Sequence, residues 1–191
     1  MHMTSATAAA ASTGAARMSE SRSRKVPIEV ELVEPSTRWR ERLPRRRALC
    51  VSAVEAALAA AKPRLTRRTE VSVVLADDAL IRRLNRQWRR IDRATDVLSF
   101  PAYDERPPPR APMLMGDVVL AFETVAREAQ EQGKSLADHM RHLVVHGVLH
   151  LMGYDHEAPD EAERMEALET EVLARLGVAD PYADRMVAGD D

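Results

Sequence analysis

Residues 146–156 read HGVLHLMGYDH and carry three of the six histidines in the chain. Positions four apart on an α-helix lie only about 40° apart around its axis, so His146 and His150 present their imidazoles on one face. Gly153 can adopt the left-handed backbone that ends a helix, and the chain can then turn back and bring His156 to the same point. This stretch therefore predicts a metal site built on a helix and the turn that follows it.

Three imidazoles leave a fourth coordination position open, which is the arrangement of catalytic rather than structural zinc. Nickel, copper or cobalt would also accept these ligands. His142 lies one turn before His146 and is a possible fourth ligand. We expect it instead to contact a ligand or solvent, because the turn at Gly153 supplies a better third direction. His2 and His139 carry no comparable signal.

The spacing H-x-x-x-H-x-x-G-x-x-H is also that of the metzincin peptidases. In those enzymes a glutamate directly after the first histidine acts as general base. Here that position is Gly147, which cannot take a proton from water. The peptidase interpretation therefore keeps its metal and loses its base, and a zinc hydrolase of that kind is an alternative function.

Outward from this motif, the apolar periodicity alternates between strands and helices. Strands are predicted at 28–33, 71–76, 95–101 and 118–122, with a proline-rich loop at 103–112. Helices are predicted at 44–61, from an N-cap at Asp77 to Asn85, at 123–132, from an N-cap at Ser135 to about Met152, and from Pro159 to just before Gly177. This order predicts an α+β fold, a small mixed β-sheet packed with helices.

The length of 191 residues suggests one domain, which we place at residues 27–178. Residues 1–26 are rich in Ala, Ser and Thr and are expected to be a disordered extension, with Met18 as a plausible true start. Residues 179–191 are expected to be a tail. Cys50 is the only cysteine, which excludes a disulfide framework and a Cys-based zinc finger. No apolar run reaches the length of a membrane span, and we expect a cytoplasmic protein.

The net charge of −2 hides a segregation of sign along the chain. Residues 38–93 hold 15 Arg and one Lys against six acids, whereas residues 114–191 hold 17 acids against six bases. A basic segment of this kind is typical of a surface that binds a polyanion, and the planar guanidinium of Arg can bind two phosphate oxygens at once. The excess of Arg over Lys can also follow from a GC-rich genome.

Three segments in this order resemble the YbeY family of endoribonucleases. They are NRQWRRIDRATDVLSFP (85–101), MGDVVLAF (115–122) and HGVLHLMGYDH (146–156). The resemblance implies a zinc-dependent, single-strand endoribonuclease that acts in ribosomal RNA maturation, notably at the 16S rRNA 3′ end, and in ribosome quality control. It implies RNA, the small ribosomal subunit and assembly factors as partners. A non-enzymatic assembly factor with structural zinc is a further alternative.

Carried onto this sequence, the resemblance implies that His146, His150 and His156 hold one zinc ion. It places the functionally important arginine at Arg89, although an ordinary surface role is the competing interpretation. Arg90 stands where the family commonly has Gly. From the residues alone, Asp155 is a candidate to orient a ligand imidazole or to act as general base, or else it is a turn residue.

Overall fold

The computed structural model describes residues 27–61, 68–102, 113–156 and 158–183. The predicted disordered extension with Met18, the predicted loop at 103–112 and the end of the predicted tail lie outside the described residues. The predicted boundaries of the domain stay predictions.

A four-stranded mixed sheet forms the centre of the molecule. Its strands are β1 (Ile28–Val33), β2 (Thr69–Ala76), β3 (Val97–Pro101) and β4 (Met113–Ala121), in the order β1-β2-β4-β3. β1, β2 and β4 run parallel, and β3 pairs antiparallel with β4. β3 is therefore an edge strand, and only one of its sides pairs with another strand.

In the part of the chain that the structure describes, six helices surround the sheet. They are α1 (Arg38–Arg42), α2 (Arg46–Ala61), α3 (Asp78–Arg89), α4 (Phe122–Glu131), α5 (Leu136–Leu151) and α6 (Pro159–Arg175). Two of the predicted N-caps are observed, since Asp77 accepts a hydrogen bond from the Leu80 amide and Ser135 accepts one from the Asp138 amide. The predicted α+β class, with a small mixed sheet and helices, is confirmed.

The largest differences between the observed and the predicted elements are at three places. α1 was not predicted, because five residues are too few to show helical periodicity. α3 runs one turn beyond Asn85, to Arg89, since arginine favours helix without adding to an apolar pattern. β4 begins at Met113 rather than Val118, and its first half is irregular, with a register shift against β2 and a positive φ at Gly116.

The two faces of the sheet carry different helices. Val73, Leu75 and Val118 point into the main core, which α2 and α5 complete. Val119, the next residue along β4, belongs to a smaller cluster on the other face with Ile81 of α3. α5 and α3 therefore lie on opposite faces of the sheet, and both reach its β3 edge.

Within the part of the chain that the structure describes, we find no helix with the length and apolarity needed to cross a membrane.

Candidate metal centre

The predicted histidines lie in a cleft along the open edge of β3. Its volume is about 470 Å³, and its walls come from α5 and the turn after it, from the end of α3, and from residues 95–99 and Pro101. All five predicted site residues line this cleft, namely His146, His150, His156, Arg89 and Asp155. Residues up to 67 positions apart in sequence are thus brought to one place by the packing of α3 and α5 on the two faces of the sheet.

Three imidazole nitrogens converge in the cleft. One ligand atom from each of His146, His150 and His156 lies within 4.8 Å of the other two. The Nε2 atoms of His146 and His150 are 3.0 Å apart, close to the ~3.3 Å expected between two nitrogens that share a tetrahedral zinc ion at ~2.0–2.1 Å. His156 is exposed on the turn after α5, so it has room to close the remaining distance. The donor set fits a metal ion.

Glu169 of α6 fixes the orientation of His146. Its Oε1 lies 2.7 Å from His146 Nδ1, so the Nδ1–H donates to the carboxylate and Nε2 is left as the ligand atom. The Glu169 side chain is fully buried and also accepts a hydrogen bond from the Tyr182 hydroxyl. A carboxylate behind a metal-binding histidine holds the ring in place and makes it a stronger ligand.

Sequence analysis missed Glu169. Its signal was a charged residue in the apolar stripe of α6, between Met165 and Val172, both of which are buried. Tyr182, which lies in the predicted tail, was missed as well. No sequence pattern connects either residue to the histidines, because the link depends on how α6 packs against α5.

The protonation states of the site favour metal binding. Burial would raise the pKa of the Glu169 carboxyl, but the contacts with His142, His146 and Tyr182 outweigh burial and bring this pKa to about 2. Burial lowers the pKa of His150, and the nearby rings of His146 and His156 lower it further. Glu169 is therefore ionised at neutral pH while His150 is neutral, which is the form that binds a metal.

The other two described histidines are not part of the ligand set. His142 Nε2 lies 3.8 Å from Glu169 Oε2, so His142 faces the carboxylate behind the ligands. His139 is buried, its Nε2 lies 3.2 Å from Glu128, and burial lowers its pKa to about 4. The expectation that the Gly153 turn, rather than His142, supplies the third direction agrees with this geometry.

Gly147 is required by packing. A Cβ atom at this position would lie 2.5 Å from Val118 Cγ1 and 3.0 Å from Ser99 Oγ. The Ser99 hydroxyl also donates to the Gly147 carbonyl at 3.1 Å. The residue after the first histidine therefore points into the sheet, where a glutamate has no room. This argues against the metallopeptidase alternative more strongly than the sequence did.

Arg89 and Asp155 both line the cleft, but they differ in whether their side chains already have partners. Among the described residues, no ion pair or hydrogen bond engages the Arg89 side chain, which is exposed. Asp155 Oδ1 accepts a hydrogen bond from the His156 amide at 2.7 Å and so shapes the turn that carries the third histidine. Arg89 is thus available to an anion, whereas Asp155 already has a structural contact.

The arginine-rich segment does not act as one uniform surface. Arg38, Arg46, Arg68 and Arg82 each pair with a carboxylate of the same molecule. The arginines without such a partner in the described structure include three on α3, namely Arg83, Arg86 and Arg89. The basic charge nearest to the cleft therefore comes from the exposed side of α3.

Comparison with known proteins places the chain in a family. Residues 40–177 match the family model described as Endoribonuclease YbeY. The chain belongs to the YbeY family. A protein of Paramagnetospirillum magneticum named Endoribonuclease YbeY is 51% identical over 164 residues, which are 84% of this chain and 99% of that protein. A protein of the same name from Azorhizobium caulinodans is 48% identical over 156 residues, 82% of this chain and 97% of its own length.

The fold also resembles a solved structure. The solution structure of TM1509 from Thermotoga maritima matches with a TM-score of 0.51 and 24% identity, over 80% of this chain and 98% of that one. The predicted family is confirmed, and with it the assignment of the chain as an enzyme of a nuclease family.

Proposed function

We propose that this protein is a zinc-dependent endoribonuclease that cleaves single-stranded regions of ribosomal RNA precursors, notably at the 16S rRNA 3′ end, and contributes to ribosome quality control. The observation that carries the proposal is the cleft lined both by three converging imidazoles and by Arg89, an arginine without a protein partner in the described structure. Two relatives that align with this chain over most of their length are named as endoribonucleases, which supports the reaction class.

His146, His150 and His156 would hold the ion. A zinc ion bound there would supply a water of pKa ~7 and would polarise a phosphoryl oxygen. Glu169 keeps His146 in the tautomer that offers Nε2. The three imidazoles would bind the ion in their neutral form and would not cancel its charge, so the ion would present a positive centre to a phosphodiester.

Arg89 would bind non-bridging oxygens of the scissile phosphate. Its planar guanidinium can donate two parallel hydrogen bonds, and these strengthen as negative charge builds up on the phosphorus in the transition state. Asp155 would hold the His156 turn in place and, since it lines the cleft, is the candidate to accept a proton from the attacking water.

The unpaired arginines of α3 would supply affinity for the RNA backbone that does not depend on sequence and weakens steeply with salt. The choice of cleavage site would then come from the context of the small ribosomal subunit and its assembly factors. This role implies a cytoplasmic location.

The proposal is tested by bound-metal analysis paired with cleavage of a 16S 3′-end precursor transcript, before and after chelation, with casein as a counter-substrate. We expect about one zinc per chain, RNA cleavage that chelation abolishes and zinc restores, and intact casein. The His146→Ala and His150→Ala variants should lose both metal and cleavage. The matched variant His139→Gln, on the same helix but next to Glu128 rather than Glu169, should keep its metal.

Two results would contradict the proposal. Cleavage of casein without cleavage of RNA would favour the peptidase alternative. A His150→Ala variant that has lost its metal and still supports maturation of the small subunit would favour a non-enzymatic assembly factor.

A further inference from the structure

Trp88 is exposed in a way that its position on α3 does not explain. The side chain is 65% exposed, whereas Trp39, the other tryptophan, is fully buried and donates its indole N–H to the Ala76 carbonyl at 2.8 Å. Trp88 continues the apolar stripe of α3, four residues after Leu84 and seven after Ile81. The apolar stripe extends one turn further than the hydrophobic cluster that it packs against, because that cluster includes Ile81 and Leu84 but not Trp88.

The indole lies beside Arg89 in the chain and packs near Phe100, outside the lining of the metal cleft. Its ring centroid lies 6.2 Å from that of Phe100, with the planes tilted by 58°. Successive side chains of a strand point to opposite faces, so Phe100 points away from Ser99 and packs against the smaller cluster on the α3 face of the sheet. Trp88 directly precedes Arg89, which lines the cleft. One aromatic ring therefore braces the indole while most of its surface faces solvent.

The charge around Trp88 selects for a polyanion. Arg89 and Arg90 directly follow Trp88 in the chain, and neither has an ion-pair partner in the described structure. The nearby Asp92 is already engaged by Arg82, at 2.9 Å. An aromatic face flanked by unpaired arginines is the combination that proteins use for single-stranded nucleic acid, where bases stack on the ring and phosphates meet the cations.

We propose that Trp88 stacks on a nucleobase of single-stranded RNA next to the phosphate bound at Arg89. The inference rests on the proposed function and deepens it, since it identifies what selects unpaired RNA. A base held in a duplex cannot swing out onto the indole without losing its pairing and stacking, whereas a single-stranded base can. One stacked ring accepts any base, so the contact selects strand state rather than sequence.

Tryptophan fluorescence tests the contact directly, because Trp39 is buried and serves as an internal reference. A short single-stranded RNA, the same strand with abasic sugars and a blunt duplex are mixed in turn with the zinc-loaded full chain, and the signal is read in stopped flow before cleavage. We expect the single strand to quench the emission of Trp88 and the abasic strand and the duplex to leave it nearly unchanged.

The Trp88→Ala variant separates stacking from charge. Its Kd for the single strand should rise about 5- to 150-fold, while its Kd for the abasic strand and the salt dependence of binding stay as in the parent. Trp88→Tyr should recover most of the affinity, because it keeps an aromatic face. Urea unfolding of each variant shows whether the fold is retained, and the quenching measured on the parent chain does not depend on any variant.

The outcomes also separate this inference from the proposed function. RNA cleavage with equal affinity for the base-containing and abasic strands, and no quenching, would overturn the role of Trp88 and leave the nuclease assignment standing. A chain that neither binds nor cleaves any of the RNAs would overturn both.

Discussion

Helix α5 brings its histidines to the cleft from within the core, whereas helix α3 brings Arg89 to it from the surface. α5 packs against β3, β4, α2 and α6, and eight of its residues are buried. α3 buries only Ile81 and Asn85 and ends in an exposed turn that carries Trp88 and Arg89. His146 and His150 are thus held in place by the packing of α5, while the groups on α3 are left free to meet a substrate.

The comparison predicts that α3 can be altered without loss of the metal. Arg89→Ala should reduce RNA cleavage about 10²- to 10³-fold, since one donor to a developing anion is lost, while zinc content stays at the parent level. Single-turnover cleavage and metal analysis measure the two effects. Arg83→Ala, an exposed arginine of the same helix outside the cleft, is the control and should change cleavage far less. Equal losses in both variants would mean that α3 acts only through general charge.

A substitution at Glu169, which contacts α5 from α6, should lower zinc affinity and leave RNA binding unchanged. Glu169→Gln keeps the shape of the side chain but removes the charge that holds His146, so zinc affinity should fall about 10- to 100-fold. A chelator competition measures that affinity. At saturating zinc the KM for RNA should match that of the parent, because nothing in the cleft has changed. Unaltered zinc affinity would show that the buried carboxylate serves folding alone.

The tight packing of α5 can be tested at Gly147. Gly147→Ala places a Cβ against Val118 and should lower the free energy of unfolding by about 1–3 kcal/mol in urea titrations. Combining it with Val118→Ala removes the methyl group that the new Cβ meets. The double variant should therefore lose less free energy of unfolding than the sum of the losses in the two single variants. Simple additivity would contradict the close contact between α5 and the sheet.

The smallest effect is expected at the end of α3. Arg90 has φ 63° and ψ 22°, a left-handed conformation that costs a residue with a Cβ about 1–2 kcal/mol. Arg90→Gly should therefore raise the free energy of unfolding by up to about 1 kcal/mol, once the greater freedom of glycine in the unfolded chain is counted. A loss of stability in the same urea titration would mean that the Arg90 side chain stabilises the turn.

The histidine positions could be predicted because they depend on local geometry. A spacing of four on a helix followed by glycine determines which side chains share a face, and Ser135 and Gly153 mark where that helix begins and turns. The strands at 28–33 and 71–76 were predicted from alternation and from β-branched residues for the same reason.

The support of the site could not be predicted in this way. Glu169 reads as an interruption of an apolar stripe until α6 is packed on α5, and only then does its carboxylate meet His146. Gly147 could be recognised as unable to act as a base, but the reason why no larger residue fits, the contact with Val118, comes from another element.

The sequence by itself determined that three histidines come together, the helix that carries His146 and His150 and the turn that carries His156, since each depends on residues within one or two helical turns. Only the tertiary structure decided that Arg89 and the histidines border one cleft and that a buried carboxylate stands behind them. The physical reason is that α3, α5 and α6 meet through long-range packing on a mixed sheet, and no local pattern in the chain encodes which distant faces will be in contact.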